Sequence, residues 1–186
     1  MCAFSAEEGK GFFKDWLVHV AQPLGFKRFL DVGAGAGRYG EIIREVFGIH
    51  GVQVDAVEIF TEYINRHNLH RIYDGISTQD IRHLGGSLGN YDLIICGDVL
   101  EHMTKSEAIE VVSMLKPMCK FLWVMLPMKI DRSWSAGYAQ PEDDFKENPY
   151  NKHYHDWTWD EIQDSFKPLF VVPFIITGSF LIEGGL

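Results

Sequence analysis

Phe29-Leu30-Asp31-Val32-Gly33-Ala34-Gly35-Ala36-Gly37 is the stretch on which the fold turns. An apolar, strand-forming run passes directly into alternate glycines, and Arg38 to Phe47 then continues with helical spacing. In an open α/β sheet such a turn lies at the carboxyl edge of its strand, where ligands bind. Glycine permits positive φ and removes the Cβ atoms that would block a ligand from the backbone. The helix N-terminus behind the turn favours a carboxylate or phosphate. Gly33, Gly35 and Gly37 are therefore candidate cofactor contacts.

From Phe29 to the end, apolar runs alternate with amphipathic helical stretches, a pattern that predicts βαβ units and a parallel sheet. Strands are expected at Phe29 to Val32, Val52 to Val57, around Tyr73 to Ile76, Tyr91 to Cys96, Lys120 to Leu126 and Leu169 to Ile176. Thr104 with Glu107 and Thr158 with Glu161 read as capping boxes that start two helices. After Ile176 there is no room for a crossover helix. Thr177-Gly178-Ser179 is expected to be a hairpin turn, and Phe180 to Glu183 a final antiparallel strand. The expectation is one domain, residues 1–186, built on a seven-stranded, mostly parallel sheet with an antiparallel C-terminal strand and helices on both faces.

The composition suits that architecture. The chain has 186 residues, 46% apolar and 23% charged, which excludes a disordered or fibrous protein. Its longest apolar runs fall far short of the ~20 residues that span a bilayer, so no membrane contact is expected. Glu7, Glu8 and Asp15 in place of a basic, then apolar, N-terminus argue against a signal peptide. Cys2, Cys96 and Cys119 show no paired spacing, which fits a reducing, cytoplasmic compartment. A net charge of −9 opposes binding to a phosphate backbone, so nucleic acid is an unlikely partner.

The segment from Met128 to Trp157 interrupts the α/β rhythm: it is polar, contains Pro141 and Pro149, and is too long for an ordinary connection. A substrate lid is expected there. Trp134, Tyr138, Phe145, Tyr150, Tyr154, Trp157 and Trp159 make this region rich in aromatics, which would cover a ligand or form a satellite cluster.

Glu58 ends the second strand, where an acidic residue can accept hydrogen bonds from both hydroxyls of a ribose. Those two features alone would serve a dinucleotide equally well, since Gly35-x-Gly37-x-x-Gly40 also satisfies that fingerprint by letter. Three further features stand in a specific order. Asp31 precedes the glycines, Asp80-Ile81 follows the third strand, and Tyr91 to Met103 joins the fourth strand to Gly97-Asp98-Val99-Leu100-Glu101-His102-Met103. Together these resemble the class I S-adenosylmethionine methyltransferases, in the branch that includes quinone-biosynthesis enzymes. The resemblance implies a Rossmann-like fold and S-adenosylmethionine as cofactor. It also implies cofactor contacts from Asp31, Gly33, Gly35, Gly37, Glu58, Ile59, Asp80, Ile81 and Asp98, with Asp80-Ile81 holding the adenine. Asn148-Pro149 to Trp157 is similar to a segment of small bacterial methyltransferases, but has His155 where a small hydroxyl residue is commoner.

An alcohol acceptor must lose its proton, and a positioned base contributes typically 10²- to 10⁴-fold. His102, His153 and His155 are the candidates. If their segment is extended, His153 and His155 point the same way, and with Asp156 or Glu142 nearby a divalent metal could be held; no metal ligand is assigned. The expected reaction is O-methylation of a small molecule such as a sugar, phenol or other metabolite. The competing readings are a nicotinamide-dependent oxidoreductase and a non-catalytic S-adenosylmethionine-binding partner subunit.

Overall fold

The computed structural model describes residues 9–84, 88–128, 146–174 and 177–186. Its seven strands are β1 (Arg28–Val32), β2 (Gln53–Val57), β3 (Gly75–Ser77), β4 (Tyr91–Gly97), β5 (Cys119–Pro127), β6 (Phe170–Pro173) and β7 (Thr177–Glu183). They form one sheet in the order β3-β2-β1-β4-β5-β7-β6. The first five run parallel, and β7 is antiparallel to both β5 and β6. The expected seven-stranded, mostly parallel sheet is the one observed.

The central strands are continuous apolar runs because both sheet faces are covered. Leu93, Ile94, Ile95 and Cys96 of β4 and Leu122 to Leu126 of β5 are all buried. The helices are α1 (Lys10–Trp16), α2 (Arg38–Phe47), α3 (Thr61–Arg66), α4 (Lys105–Leu115) and α5 (Trp159–Phe166). One face of the sheet packs Phe13 and Trp16 of α1, Ile42 and Ile43 of α2 and Ile64 of α3. The other packs Ala108, Val111, Val112 and Leu115 of α4 with Ile162 and Phe166 of α5. The α4 set follows the spacing that aligns one helical face, so burial and helix formation reinforce each other. Truncating a residue sealed in this way, such as Ile94, to Ala would cost about 2–5 kcal/mol. Both capping boxes are present, at Thr104 with Glu107 and Thr158 with Glu161.

The C-terminal hairpin differs from expectation in register. Thr177, Gly178 and Ser179 do not form the turn: they pair with Pro127, Leu126 and Met125 inside β7. Gly178 is small for packing, since a Cβ there would lie 2.9 Å from the Phe180 ring and 3.1 Å from Met128. The connection falls between Pro173 and Thr177, and residues 175–176, expected to be strand, lie outside the described residues. No described helix is long and apolar enough to cross a membrane.

Strand order reverses between β1 and β4, whose carboxyl ends therefore open the crevice in which an α/β sheet binds ligands.

Candidate active site

The turn after β1 has positive φ at Gly33 (69°), Gly35 (55°) and Gly37 (84°). Gly33 is exposed in the crevice, while a Cβ on it would come within 2.5 Å of Val99 in the loop after β4. Only glycine lets the two loops approach so closely. Glu58, buried at the end of β2, braces the turn: one carboxylate oxygen accepts the Gly35 N–H at 2.7 Å and the other the Phe60 N–H at 2.8 Å. Burial raises its pKa, and these two bonds oppose the rise. Glu58 and the glycine turn are thus one assembly. Ile59 beside it is partly exposed.

Asp31 points beneath the turn, fully buried, and accepts the Tyr73 hydroxyl at 2.5 Å. Burial pushes its carboxyl up to about 7, against the hydrogen bond from Tyr73 and the charge of Lys10. Its partners lie within the protein, so Asp31 acts on the turn from below. Tyr73 seals this layer against Gly40, where a Cβ would meet its ring at 2.5 Å.

At the end of β4, Gly97 lies under the Tyr39 ring, which a Cβ would meet at 2.0 Å. Asp98 follows with positive φ (55°) and donates its N–H to the Met125 carbonyl at 2.7 Å. Lys10 arrives from α1 with 3% exposure, its Nζ 3.9 Å from Asp98 Oδ2 and 4.2 Å from the Tyr39 ring centre. Glu101 is equally buried; burial and the neighbouring Asp98 push its pKa well up. Its Oε2 finds no hydrogen-bond partner among the described residues.

His102 and His153 meet edge to face, ring centres 4.9 Å apart. Burial and the neighbouring His153 bring the His102 pKa down to about 4, so its imidazole is neutral at physiological pH. His102 Nδ1 lies 3.3 Å from the Lys152 carbonyl; donating there would leave Nε2 as the basic nitrogen. Burial also lowers the pKa of His153. Glu101, His102 and His153 each offer a ligand atom within 4.8 Å of the others, a set that could hold a divalent cation. The expected grouping of His153 with His155 is not the one formed. His155 instead contacts Glu161 at 3.3 Å and the Trp157 ring at 4.9 Å, which places it on the α5 capping box and not with the paired histidines.

The segment 151–157 alternates between covered and exposed residues, as an extended chain must. The Tyr154 N–H donates to the Glu101 carbonyl at 2.8 Å, fastening the segment over the loop after β4. Trp157 is not a lid residue: it is fully buried against Phe166, and Trp159 packs on Phe180. Tyr150 and Tyr154 are exposed. Trp134, Tyr138, Pro141, Glu142 and Phe145 lie outside the described residues.

After β3, the Asp80 carboxylate is gripped by Arg82, whose Nε lies 3.0 Å from both of its oxygens and whose second terminal nitrogen lies 2.6 Å from Oδ2. That contact, foremost, holds Asp80 below the usual carboxylate range. Ile81 is buried in the core with Leu84 and Val99, so little of it remains to stack on a base. Lys10, Tyr39, Tyr73, Arg82 and Glu101 escaped the sequence reading. Glu101 sat inside the quoted motif, whereas nothing in the sequence signals that Lys10 would cross the sheet edge.

Comparison with known proteins agrees with this geometry. The sequence model of the methyltransferase domain family matches residues 30–122, half of the chain. The ubiquinone biosynthesis O-methyltransferase of Erwinia tasmaniensis is 27% identical over 100 residues, covering 51% of this chain and 40% of that protein. Its counterpart from Xanthomonas axonopodis is 31% identical over 103 residues, 52% of this chain and 41% of that protein. The matched part thus spans about two fifths of these curated relatives. Among solved structures, magnesium protoporphyrin IX methyltransferase from Synechocystis, with bound S-adenosylmethionine, superposes with a TM-score of 0.65 at 18% identity, covering 95% of this chain and 78% of that one. An S-adenosylmethionine-dependent methyltransferase from Clostridium acetobutylicum gives 0.68 at 15% identity, covering 95% and 91%. Glycine turn, braced Glu58 and family match converge: the chain belongs to the methyltransferase domain family, whose cofactor is S-adenosylmethionine.

Proposed function

We propose that this chain transfers the methyl group of S-adenosylmethionine to a hydroxyl oxygen of a small acceptor. The observation that carries the reading is the glycine turn after β1, braced by Glu58 through the Gly35 N–H, at the strand-order reversal, with the His102–His153 pair after the neighbouring strand β4. Positive φ, the exposed Gly33 and a caged carboxylate suit a nucleoside with a charged tail. Gly33, Gly35, Gly37, Glu58, Ile59, Asp80 and Asp98 would hold the cofactor, Ile81 would brace that edge from the core, and Asp31 would keep the turn in shape from below. When bound, the cofactor supplies a methyl group already activated by a sulfonium charge.

The protein's part is then alignment and proton removal. Fixing acceptor and methyl carbon in one geometry replaces a bimolecular encounter. A neutral imidazole of the paired histidines takes the hydroxyl proton as the oxygen becomes nucleophilic. His153, on the segment that crosses the loop after β4, reaches the acceptor, and His102 supports it. The O-methyltransferase names of the sequence relatives favour oxygen over nitrogen or carbon. The acidic balance of the chain favours a neutral or cationic acceptor, a phenol, sugar or other hydroxylated metabolite.

Calorimetry with S-adenosylhomocysteine and NADH tests the reading. The first should bind and the second should not. NADH binding with no response to S-adenosylhomocysteine would assign the glycine turn to a nicotinamide cofactor.

A further inference from the structure

Arg82 takes no part in the proposed reaction, yet it joins two carboxylates, those of Asp80 and Glu107. Its Nε and second terminal nitrogen donate to the Asp80 carboxylate, and its remaining arm reaches Glu107 Oε1 at 2.8 Å. The Arg82 backbone N–H also donates to Asp80 Oδ1 at 2.9 Å. Glu107 in turn accepts the Thr104 N–H at 2.9 Å within the capping box of α4. A chain of charge-assisted contacts therefore runs from Asp80 to Thr104, two residues beyond His102. His83 adds a looser contact, 3.8 Å from Asp80.

Stability does not account for this arrangement. Arg82 and Glu107 are each about one third exposed, and exposed pairs contribute little to stability. What the fork does achieve is orientation. A planar guanidinium fixes both the rotation and the ionisation of the carboxylate it grips, which a single point charge does not. Three N–H hydrogens, one of them shared between both oxygens, face the four lone-pair sites of the pinned Asp80, so one site remains for a further N–H donor, and none of its atoms can donate.

We propose that Arg82 is a positioning residue that makes Asp80 selective for an amino group on the cofactor's base, and so sets the preference for adenine over its oxo analogue. The inference rests on the reading of Asp80 as the adenine contact. A site built to accept from an N–H₂ group leaves its acceptor facing a carbonyl when the amine becomes an oxygen, a mismatch that binding sites reject strongly. Without the fork, Asp80 can rotate, and its acceptors are no longer held toward the amino group.

The experiment compares Kd for S-adenosylhomocysteine and S-inosylhomocysteine, which differ only in that amino group, across the intact protein, Arg82→Met, Arg82→Lys and Asp80→Asn. The parent should prefer the adenine ligand strongly. Arg82→Met should lower the ratio about tenfold or more, the worth of one charge-assisted hydrogen bond, with an unchanged melting temperature, and Arg82→Lys should restore only part. Asp80→Asn should collapse the ratio because its amide can donate to the oxo group. If Asp80→Asn collapses the ratio while Arg82→Met preserves it, or weakens both ligands equally, Arg82 has no positioning role. If Asp80→Asn leaves the ratio intact, the base is read elsewhere and the assignment of Asp80 falls along with the role of Arg82.

Discussion

Replacing Glu58 by Ala removes the acceptor of two backbone N–H groups at once, Gly35 at 2.7 Å and Phe60 at 2.8 Å, in a place with 4% exposure. Hydrogen bonds to a charged partner contribute about 1.5–3 kcal/mol each, and a buried N–H left without one costs about 1–3 kcal/mol. The carboxylate's own burial, visible in its raised pKa, offsets part of that. The expected loss of stability is therefore roughly 2–5 kcal/mol for Glu58→Ala. Gln keeps one acceptor but turns its amide N–H₂ toward the other N–H, so about half that loss is expected. Urea unfolding without ligand measures both values. The same variants should bind S-adenosylhomocysteine at least about tenfold more weakly even where calorimetry shows them folded, because the residue that shapes the turn is also the proposed ribose contact. An Ala variant within about 0.5 kcal/mol of the parent, or a Gln variant that binds the ligand as tightly, would refute the argument that Glu58 and the turn are one assembly.

His153→Ala should lower the methylation rate by about 10²-fold or more while S-adenosylhomocysteine affinity stays within a few-fold, because the residue is proposed to touch the acceptor and not the nucleoside; equal losses in both would reject that role. With the His102 pKa near 4 and that of His153 also lowered, kcat/KM should stay level on the acid side until below the ordinary histidine value of about 6.5. An acid limb centred at 6.5 would show that neither imidazole is the base. Asp31 binds its proton more tightly folded than unfolded, so its contribution to stability is full below about 4 and fades as pH rises toward about 7. His102 has the opposite slope, which makes the difference between parent and Asp31→Asn the quantity to follow: the parent's unfolding midpoint relative to the variant's should fall between pH 5 and pH 8, and parallel profiles would contradict the buried, proton-holding Asp31.

Most of the fold was legible because hydrophobic periodicity and glycine placement are local properties. The strand from Phe29, the helix from Arg38 to Phe47 and both capping boxes needed only neighbours within a few residues, and they lie where the spacing puts them. The same locality explains the errors. Gly178 read as a turn because a glycine between polar residues usually is one, yet it sits in β7 to clear Phe180. Trp157 read as part of a lid because its sequence neighbours are polar, but an extended chain alternates its faces, and the tertiary fold supplied a pocket on the core side.

At the site, residue types and order announced a nucleoside-binding turn, while contacts between distant segments decided what each residue does. Asp31 faces inward because Tyr73 closes beneath it; His153 joins His102 because the Tyr154 N–H, bonded to the Glu101 carbonyl, ties down the segment that carries it; His155 leaves for Glu161. Lys10 reaches Asp98 only because Phe13 and Trp16 seat α1 on the sheet. Sequence determines propensities along the chain, but charge burial and ionisation depend on what packs from elsewhere, so those properties exist only once the sheet has brought its carboxyl ends together.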